Sequence, residues 1–397
     1  MSITDRIWQP VPVDRSFCKQ VQVVTTQGSA ANKLKRIAFR FSFSLLLTVV
    51  LLECALALLS HFLDLPFSAP KYRRPQQWKP FWSETMLEFG MWHQPNSNGA
   101  IKKGCFNVEY HSNSYGAVDV ERERNSSHPR IVVLGDSFIE GYGVPQDTRL
   151  TTILERQSGI EHLNFGTSGV FGPTQYYLLY KALAAQFDHS AILVGILPDN
   201  DFLEDDITYG RSAYYDMYRP YFVEADSGYK LTYFREHFPA GEIPTVRRVE
   251  RFLREYSYAA NAAYWLWRVK AHQLRPDGYS GYYDYSAAQL SRLRHVLTLL
   301  REAAPQKDLI VFTIPRKGDF LRAQDSPPPL RNELRKMSEQ LHFQYIDLLP
   351  HMQSTSDPVD ALYLPCDGHW NEKGHQRAAD ILMRSVNLYK RGATPQR

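Results

Sequence analysis

The chain has 397 residues, with 46 basic against 42 acidic side chains and a formal net charge of +4 at neutral pH. That length accommodates one large α/β domain with appendages, or two modest domains. A balance this even excludes the concentrated Lys and Arg excess by which a nucleic-acid binder holds phosphates, and no nucleic-acid partner is expected. The 24 Tyr, 21 Phe and 7 Trp can fill a core and still leave rings for a binding surface.

In chain order, the first element is an apolar run over 41–60, FSFSLLLTVVLLECALALLS, whose one charged residue is Glu53. At about 1.5 Å per residue it spans the roughly 30 Å hydrocarbon layer of a bilayer. Lys33, Lys35, Arg36 and Arg40 crowd its N-terminal side. The positive-inside rule then makes 1–36 a cytoplasmic tail and 37–60 a single transmembrane helix, with the rest outside the cytoplasm, periplasmic in a Gram-negative cell. A cleaved signal peptide, with Ala55-Leu56-Ala57 as its site, is disfavoured by the about forty residues before the run. A lipoprotein site at Cys54 is disfavoured by Glu53 before it, and a buried core helix by the run being apolar all round. Glu53 is expected to be protonated or paired within an oligomer.

Residues 61–128 read as a stalk and small pre-domain, irregular and polar, with Pro66, Pro70, Pro75, Pro80 and Pro95 breaking helices. A strand–helix rhythm follows. RIVVLGD (130–136) is an apolar run of the kind that forms a buried parallel strand. HLNFG (162–166) follows a helix-like stretch at 147–158, and SAILVGILP (190–198) follows an amphipathic one at 174–186. The segment 203–285 shows no clean period and interrupts the rhythm after the third strand, where a lid or a packed subdomain would sit. Ser286 then opens a capping box before a helix marked by Leu290, Leu293, Leu297 and Leu300. DLIVFTIP (308–315) and FQYIDL (343–348) are a fourth and a fifth strand, separated by a helix at 330–341 and followed by one at 372–388. Five strands alternating with helices predict a doubly wound, flavodoxin-like parallel sheet, split into halves at 129–202 and 286–397, with function at the strands' carboxyl ends.

Gly135-Asp136-Ser137 ends the first strand, where a serine hydroxyl projects into the crevice and neighbouring N–H groups face a developing oxyanion. Alone, such a tripeptide is usually a simple turn. Serine needs a base. Of 13 histidines, His369 stands out, in Cys366-Asp367-Gly368-His369-Trp370-Asn371 after the fifth strand. Asp367 can hold one ring nitrogen while the other faces the serine. His375, on the following helix, is given no role. The loop 164–169 after the second strand and Asn200 after the third supply candidate oxyanion donors, each otherwise read as a turn or cap. Cys105 and Cys366 are the two cysteines of the exported part; they can bridge or stay free and buried. No metal-ligand spacing is visible, and Gly141-Tyr142-Gly143 is too short a pattern to cradle phosphate. Neither metal nor cofactor is expected.

As a set, these blocks resemble the SGNH (GDSL-type) hydrolases, over about 129–202 and 286–388. The match runs through Gly135-Asp136-Ser137, Gly169 five residues after Asn164, Asn200-Asp201, and Asp367 with His369. The resemblance implies the SGNH hydrolase fold, with Ser137 as nucleophile, His369 as base and acid, and Asp367 as its orienter. It also implies an oxyanion hole from the Ser137 N–H, the Gly169 N–H and the Asn200 amide. Three departures stand out: Phe138 replaces the usual leucine, Pro198 replaces a glycine two before Asn200, and the last block is Asp-x-His rather than Asp-x-x-His. The shorter spacing is similar to that of polysaccharide O-acetyltransferases of the same superfamily.

Three functions remain open at this point. The first is an esterase releasing acyl or acetyl groups from an extracytoplasmic glycan or lipid. The second is an O-acyltransferase that delivers the acyl group to a sugar, supplied by a multi-pass membrane partner. The third is a non-catalytic glycan-binding protein. A bridge between Cys105 and Cys366 would pin the pre-domain to the loop of Asp367.

Overall fold

The computed structural model describes residues 15–60, 62, 63, 65, 67, 70, 81–86, 88–103, 105–168, 171–213, 219–226, 228–233, 245–267, 278–353 and 358–392. A single helix runs from Arg15 to Leu59, and its section Asn32–Leu59 is long and apolar enough to cross a membrane. None of that section's most apolar stretch is buried against the rest of the chain.

After this helix come two antiparallel hairpins, β1 (Trp82–Met86) with β2 (Gly90–His93) and β3 (Asn98–Lys103) with β4 (Phe106–His111). The stretch read as irregular therefore carries four short strands between 82 and 111. Between its prolines the runs are only four to six residues long, too short for a two-residue period to stand out. Phe81, Val108, Tyr110 and Val118 form a small core of their own beneath the hairpins.

The central sheet contains β5 (Arg130–Gly135), β6 (Glu161–Gly166), β7 (Ala191–Ile196), β10 (Asp308–Thr313) and β11 (Gln344–Asp347). All neighbours are parallel, in the order β11-β10-β7-β5-β6. This is the doubly wound order expected from the sequence. Every residue of β5 and β7 is buried, as in a parallel sheet covered on both faces. The helix Leu150–Ser158 packs against Glu372–Ser385, and Pro173–Ala182 against Ala287–Ala303. Ser286 caps the last of these through its expected box with Gln289. The chain steps from β5 out to β6 and then returns to β7 on the other side of β5. The crevice above β5 and β7 is thus the topological switch point, where ligands bind in such sheets.

Among its described residues, the interruption after the third strand holds the helix Ile207–Ala213, a hairpin, β8 (Pro220–Ala225) with β9 (Gly228–Tyr233), and then the helices Thr245–Tyr256 and Tyr258–Leu266. Glu53 is paired within its own chain, to the start of the helix Tyr258–Leu266.

Candidate active site

β5 ends at Gly135, and the chain turns at once into a single helical turn, Ser137–Glu140. Asp136 caps that turn, its Oδ1 accepting from the Phe138 N–H at 2.9 Å. Gly141 closes it with φ at +85°, a left-handed conformation that favours glycine. The turn also needs Gly166 on β6, because a Cβ there would lie 2.3 Å from the Glu140 nitrogen. This tight packing lifts Ser137 out of the sheet at the switch point.

His369 arrives from the loop between β11 and the helix Glu372–Ser385. That loop is a narrow turn in which Tyr363 bridges Trp370 and the Leu364 N–H donates to the His369 carbonyl at 2.9 Å. Ser137 Oγ and His369 Nε2 are 2.7 Å apart. On the other side of the ring, His369 Nδ1 bonds Asp367 Oδ1, which also accepts from the His369 N–H at 3.2 Å. The Asp-x-His spacing therefore suffices, since the turn folds the carboxylate back onto its own histidine. The structure brings these three residues together.

The imidazole is also held from its faces. Phe138 and Tyr142 lie against it with ring centroids 4.9 and 4.5 Å away, and Trp370 meets Phe138 edge-on at 5.0 Å. Neither Phe138 nor Tyr142 was given a role from sequence, where they read as a tolerated replacement and part of a short glycine pattern.

Asp367 has a second partner. Lys103, at the end of β3, donates to Asp367 Oδ2 at 2.5 Å. Partial burial pushes the Asp367 carboxyl upward, but His369 and Lys103 outweigh it and hold the carboxyl well below the usual range. Two residues beyond Lys103, Cys105 is joined to Cys366 by a disulfide. The pre-domain is thus fixed to the loop of Asp367 by one covalent and one ionic link.

Asn200 lies in the first turn of the helix Pro198–Glu204, at the carboxyl end of β7, and its N–H donates to the Leu197 carbonyl. Pro198 opens this helix, which the ring's fixed φ and missing N–H suit. Gly169 lies outside the described residues. Its neighbour Ser168 is fixed by Glu140, whose Oε2 accepts from the Ser168 N–H at 3.0 Å and from its hydroxyl. Glu140 is fully buried, and its Oε1 meets Trp82 Nε1 at 2.6 Å and His93 Nε2 at 2.7 Å. One carboxylate thus ties the serine turn, the second-block loop and the β1–β2 hairpin together.

Two more buried carboxylates underlie the site. Burial pushes Asp136 and Asp201 upward, and like-charge repulsion adds to it, from Glu140 on Asp136 and from Asp136 on Asp201. Asp201 accepts from the Tyr176 hydroxyl and the Leu197 N–H, both at 2.9 Å. His375 is buried, accepts from the Leu150 N–H at 3.2 Å, and is pushed down by burial to about 3. Its place is structural, as expected.

No protein-family model matches the chain, and no curated protein does. Among solved structures it is similar to a member of the lipolytic G-D-S-L family from Veillonella parvula, at 13% identity, covering 65% of this chain and 97% of that one, with a TM-score of 0.36. It is similar to the lipase/acylhydrolase from Enterococcus faecalis, at 12% identity, covering 66% and 96%, with a TM-score of 0.35. It is also similar to a carbohydrate esterase family 2 enzyme from Corynascus thermopiles, at 12% identity, covering 68% and 69%, with a TM-score of 0.37. Similarity at this level bears on no substrate. On the strength of its own strand order, and of where that order sets Ser137, Asp367 and His369, the chain has the SGNH (GDSL-type) hydrolase fold.

Proposed function

We propose that this chain is a serine-dependent ester hydrolase, anchored by its N-terminal helix and acting outside the cytoplasm on acyl or acetyl esters of a glycan or lipid. The observation that carries the reading is the relay from Ser137 Oγ through His369 to Asp367. His369 Nε2 takes the Ser137 proton as Oγ attacks the ester carbonyl. The tetrahedral oxyanion is met by the Ser137 N–H, the Asn200 amide and the Gly169 N–H. His369 then protonates the leaving alcohol, and water, deprotonated by the same nitrogen, resolves the acyl-enzyme to free acid and serine. Asp367 keeps the ring oriented and balances its transient positive charge. The basic cluster before the helix supports a cytoplasmic N-terminus.

A second reading, an O-acyltransferase fed by a multi-pass acyl-donor partner, is favoured by the Asp367-x-His369 spacing. It shares the first half-reaction and replaces water by a sugar hydroxyl. The test uses the full chain in detergent with short-chain aryl esters. Wild type is expected to release acyl groups and Ser137→Ala to lose at least about 10³-fold of that rate. Acyl release that rises with added sugar, giving an acylated sugar, identifies the transferase. Equal rates in both proteins, or none in folded wild type, reject the serine mechanism for these esters.

A further inference from the structure

The helix Thr245–Tyr256 is amphipathic in the reverse sense. Val249, Phe252, Leu253 and Tyr256, at the i, i+3, i+4, i+7 spacing of one helical face, are 51%, 60%, 48% and 52% exposed. On the protein side, Glu250 and Arg254 are half-buried and paired at 3.6 Å, and the Arg254 guanidinium lies 3.6 Å from the Tyr264 ring centroid. The next helix, Tyr258–Leu266, adds exposed Leu266 and Trp267 at its far end. Asn261 fastens the elbow between the two, its Nδ2 donating to the Arg254 and Ser257 carbonyls at 2.7 and 3.1 Å.

This pair is docked on the apolar N-terminal helix. Glu53, Leu56, Ala57 and Ser60 are its half-buried positions there. Glu53 accepts from the Tyr258 and Ala259 N–H groups, at 2.9 and 3.0 Å, and from the Ser257 hydroxyl, while Ser257 Oγ accepts from the Ala260 N–H. The first three orphan donors of the helix Tyr258–Leu266 are therefore satisfied inside the protein. Ser60 Oγ and the Tyr258 hydroxyl add a bond at 3.1 Å. Glu53 lies within the apolar section, about 9 Å before its end at 1.5 Å per residue. A helix end at that depth meets no water, so its N–H groups must be paired, and a carboxylate there must have partners.

We propose that the helices Thr245–Tyr256 and Tyr258–Leu266 lie in the outer interface of the bilayer, apolar stripe in the acyl chains, clamped to the spanning helix by Glu53. The domain then rests on the membrane through two elements instead of hanging from one tether. An outward apolar stripe continuous with a spanning helix fits acyl chains, and the paired polar side faces the protein. This rests on the reading of the N-terminal helix as a membrane span.

The full chain, carrying Cys18→Ser and Cys54→Ser, is labelled with bimane at Leu47→Cys, Leu253→Cys or Lys336→Cys, without reductant. It is reconstituted into phosphatidylcholine–phosphatidylglycerol vesicles with brominated acyl chains. Quenching at position 253 is expected within about twofold of that at 47 and well above that at 336. Glu53→Ala is expected to cut quenching at 253 at least about twofold and to leave 47 unchanged. Quenching at 47 with 253 no different from 336 overturns the proposal and leaves the anchor standing, as does protection of 253 with cross-linking between copies. Quenching at neither 47 nor 253 removes the anchor as well. Unchanged quenching at 253 in the Glu53→Ala protein overturns the clamp.

Discussion

Lys103 and Asp367 are 264 positions apart in sequence, and the ammonium of one holds the carboxylate oxygen that the histidine of the other's loop leaves free. Asp367 Oδ1 serves His369 and Oδ2 serves Lys103. The group that orients the imidazole is thus itself oriented from another part of the fold, through a hairpin whose next cysteine is bonded to Cys366.

Lys103→Met is expected to lower kcat/KM for an aryl ester about three- to tenfold, mainly through kcat, because Asp367 loses one of its two restraints. The lysine side chain is 44% exposed, so the loss of stability is small, about 1 kcal/mol or less after solvent screening. The sign with pH follows from the depressed Asp367 carboxyl. Its contribution is complete above the unfolded value of about 3.9 and is lost as pH falls toward the folded one. Thermal melts between about pH 4 and pH 2 should therefore show a shallower decline in Lys103→Met than in wild type. Parallel declines would separate Lys103 from that carboxyl.

Breaking the disulfide by Cys105→Ser with Cys366→Ser should cost about 2–4 kcal/mol in a denaturant titration. Esterase activity should fall with it, since Asp367 adjoins Cys366. Full activity in a folded protein whose two thiols both react with a thiol reagent would uncouple the bridge from the site.

Glu140→Ala leaves the Trp82 and His93 ring nitrogens and the Ser168 N–H facing a buried void. A loss of about 3–5 kcal/mol is expected. Glu140→Gln should recover part of it, because an amide oxygen can still accept. Activity should fall in both proteins, because Ser168 borders the loop of Gly169. Wild-type kinetics in Glu140→Gln would show that this loop is fixed by other contacts.

Asp136 and Asp201 act on stability in the direction opposite to Asp367. Their carboxyls are pushed up by burial and by neighbouring carboxylates, Glu140 for Asp136 and Asp136 for Asp201, so the unfolded chain ionises first and stability falls as pH rises from the ordinary carboxylate range toward neutrality. Asp136→Asn, which keeps an oxygen for the Phe138 N–H, should flatten that fall between pH 4 and pH 7 in urea titrations. An unchanged slope would mean that Asp136 ionises in the folded protein at its ordinary pH.

The five core strands were legible in sequence because buried parallel strands are continuous apolar runs, and β5 and β7 are buried at every position. Ser137 was legible because it sits where such a strand ends, and Asp367 and His369 because they lie in the loop between the last strand and the last long helix. Lys103 and Glu140 were not. Their meaning lies in contacts with residues distant in sequence, which no local pattern encodes. The hairpins β1–β4 were hidden by prolines and short runs. The stripe at Val249, Phe252, Leu253 and Tyr256 was missed for another reason: an apolar face turned outward lies within a segment otherwise dominated by Tyr, Asp and Arg.

The arrangement around Glu53 also bears on how a water-soluble version of the protein can be made. Cutting the chain after position 60 removes the carboxylate that pairs the Tyr258 and Ala259 N–H groups, and it removes the surface on which the elbow of the two helices sits. A secreted fragment beginning there would carry an unpaired helix start and a bare oily ridge, and would self-associate at concentrations where the anchored protein in detergent stays dispersed. Replacing Phe252 and Leu253 by polar residues in such a fragment should restore dispersion more effectively than moving its start within 61–80.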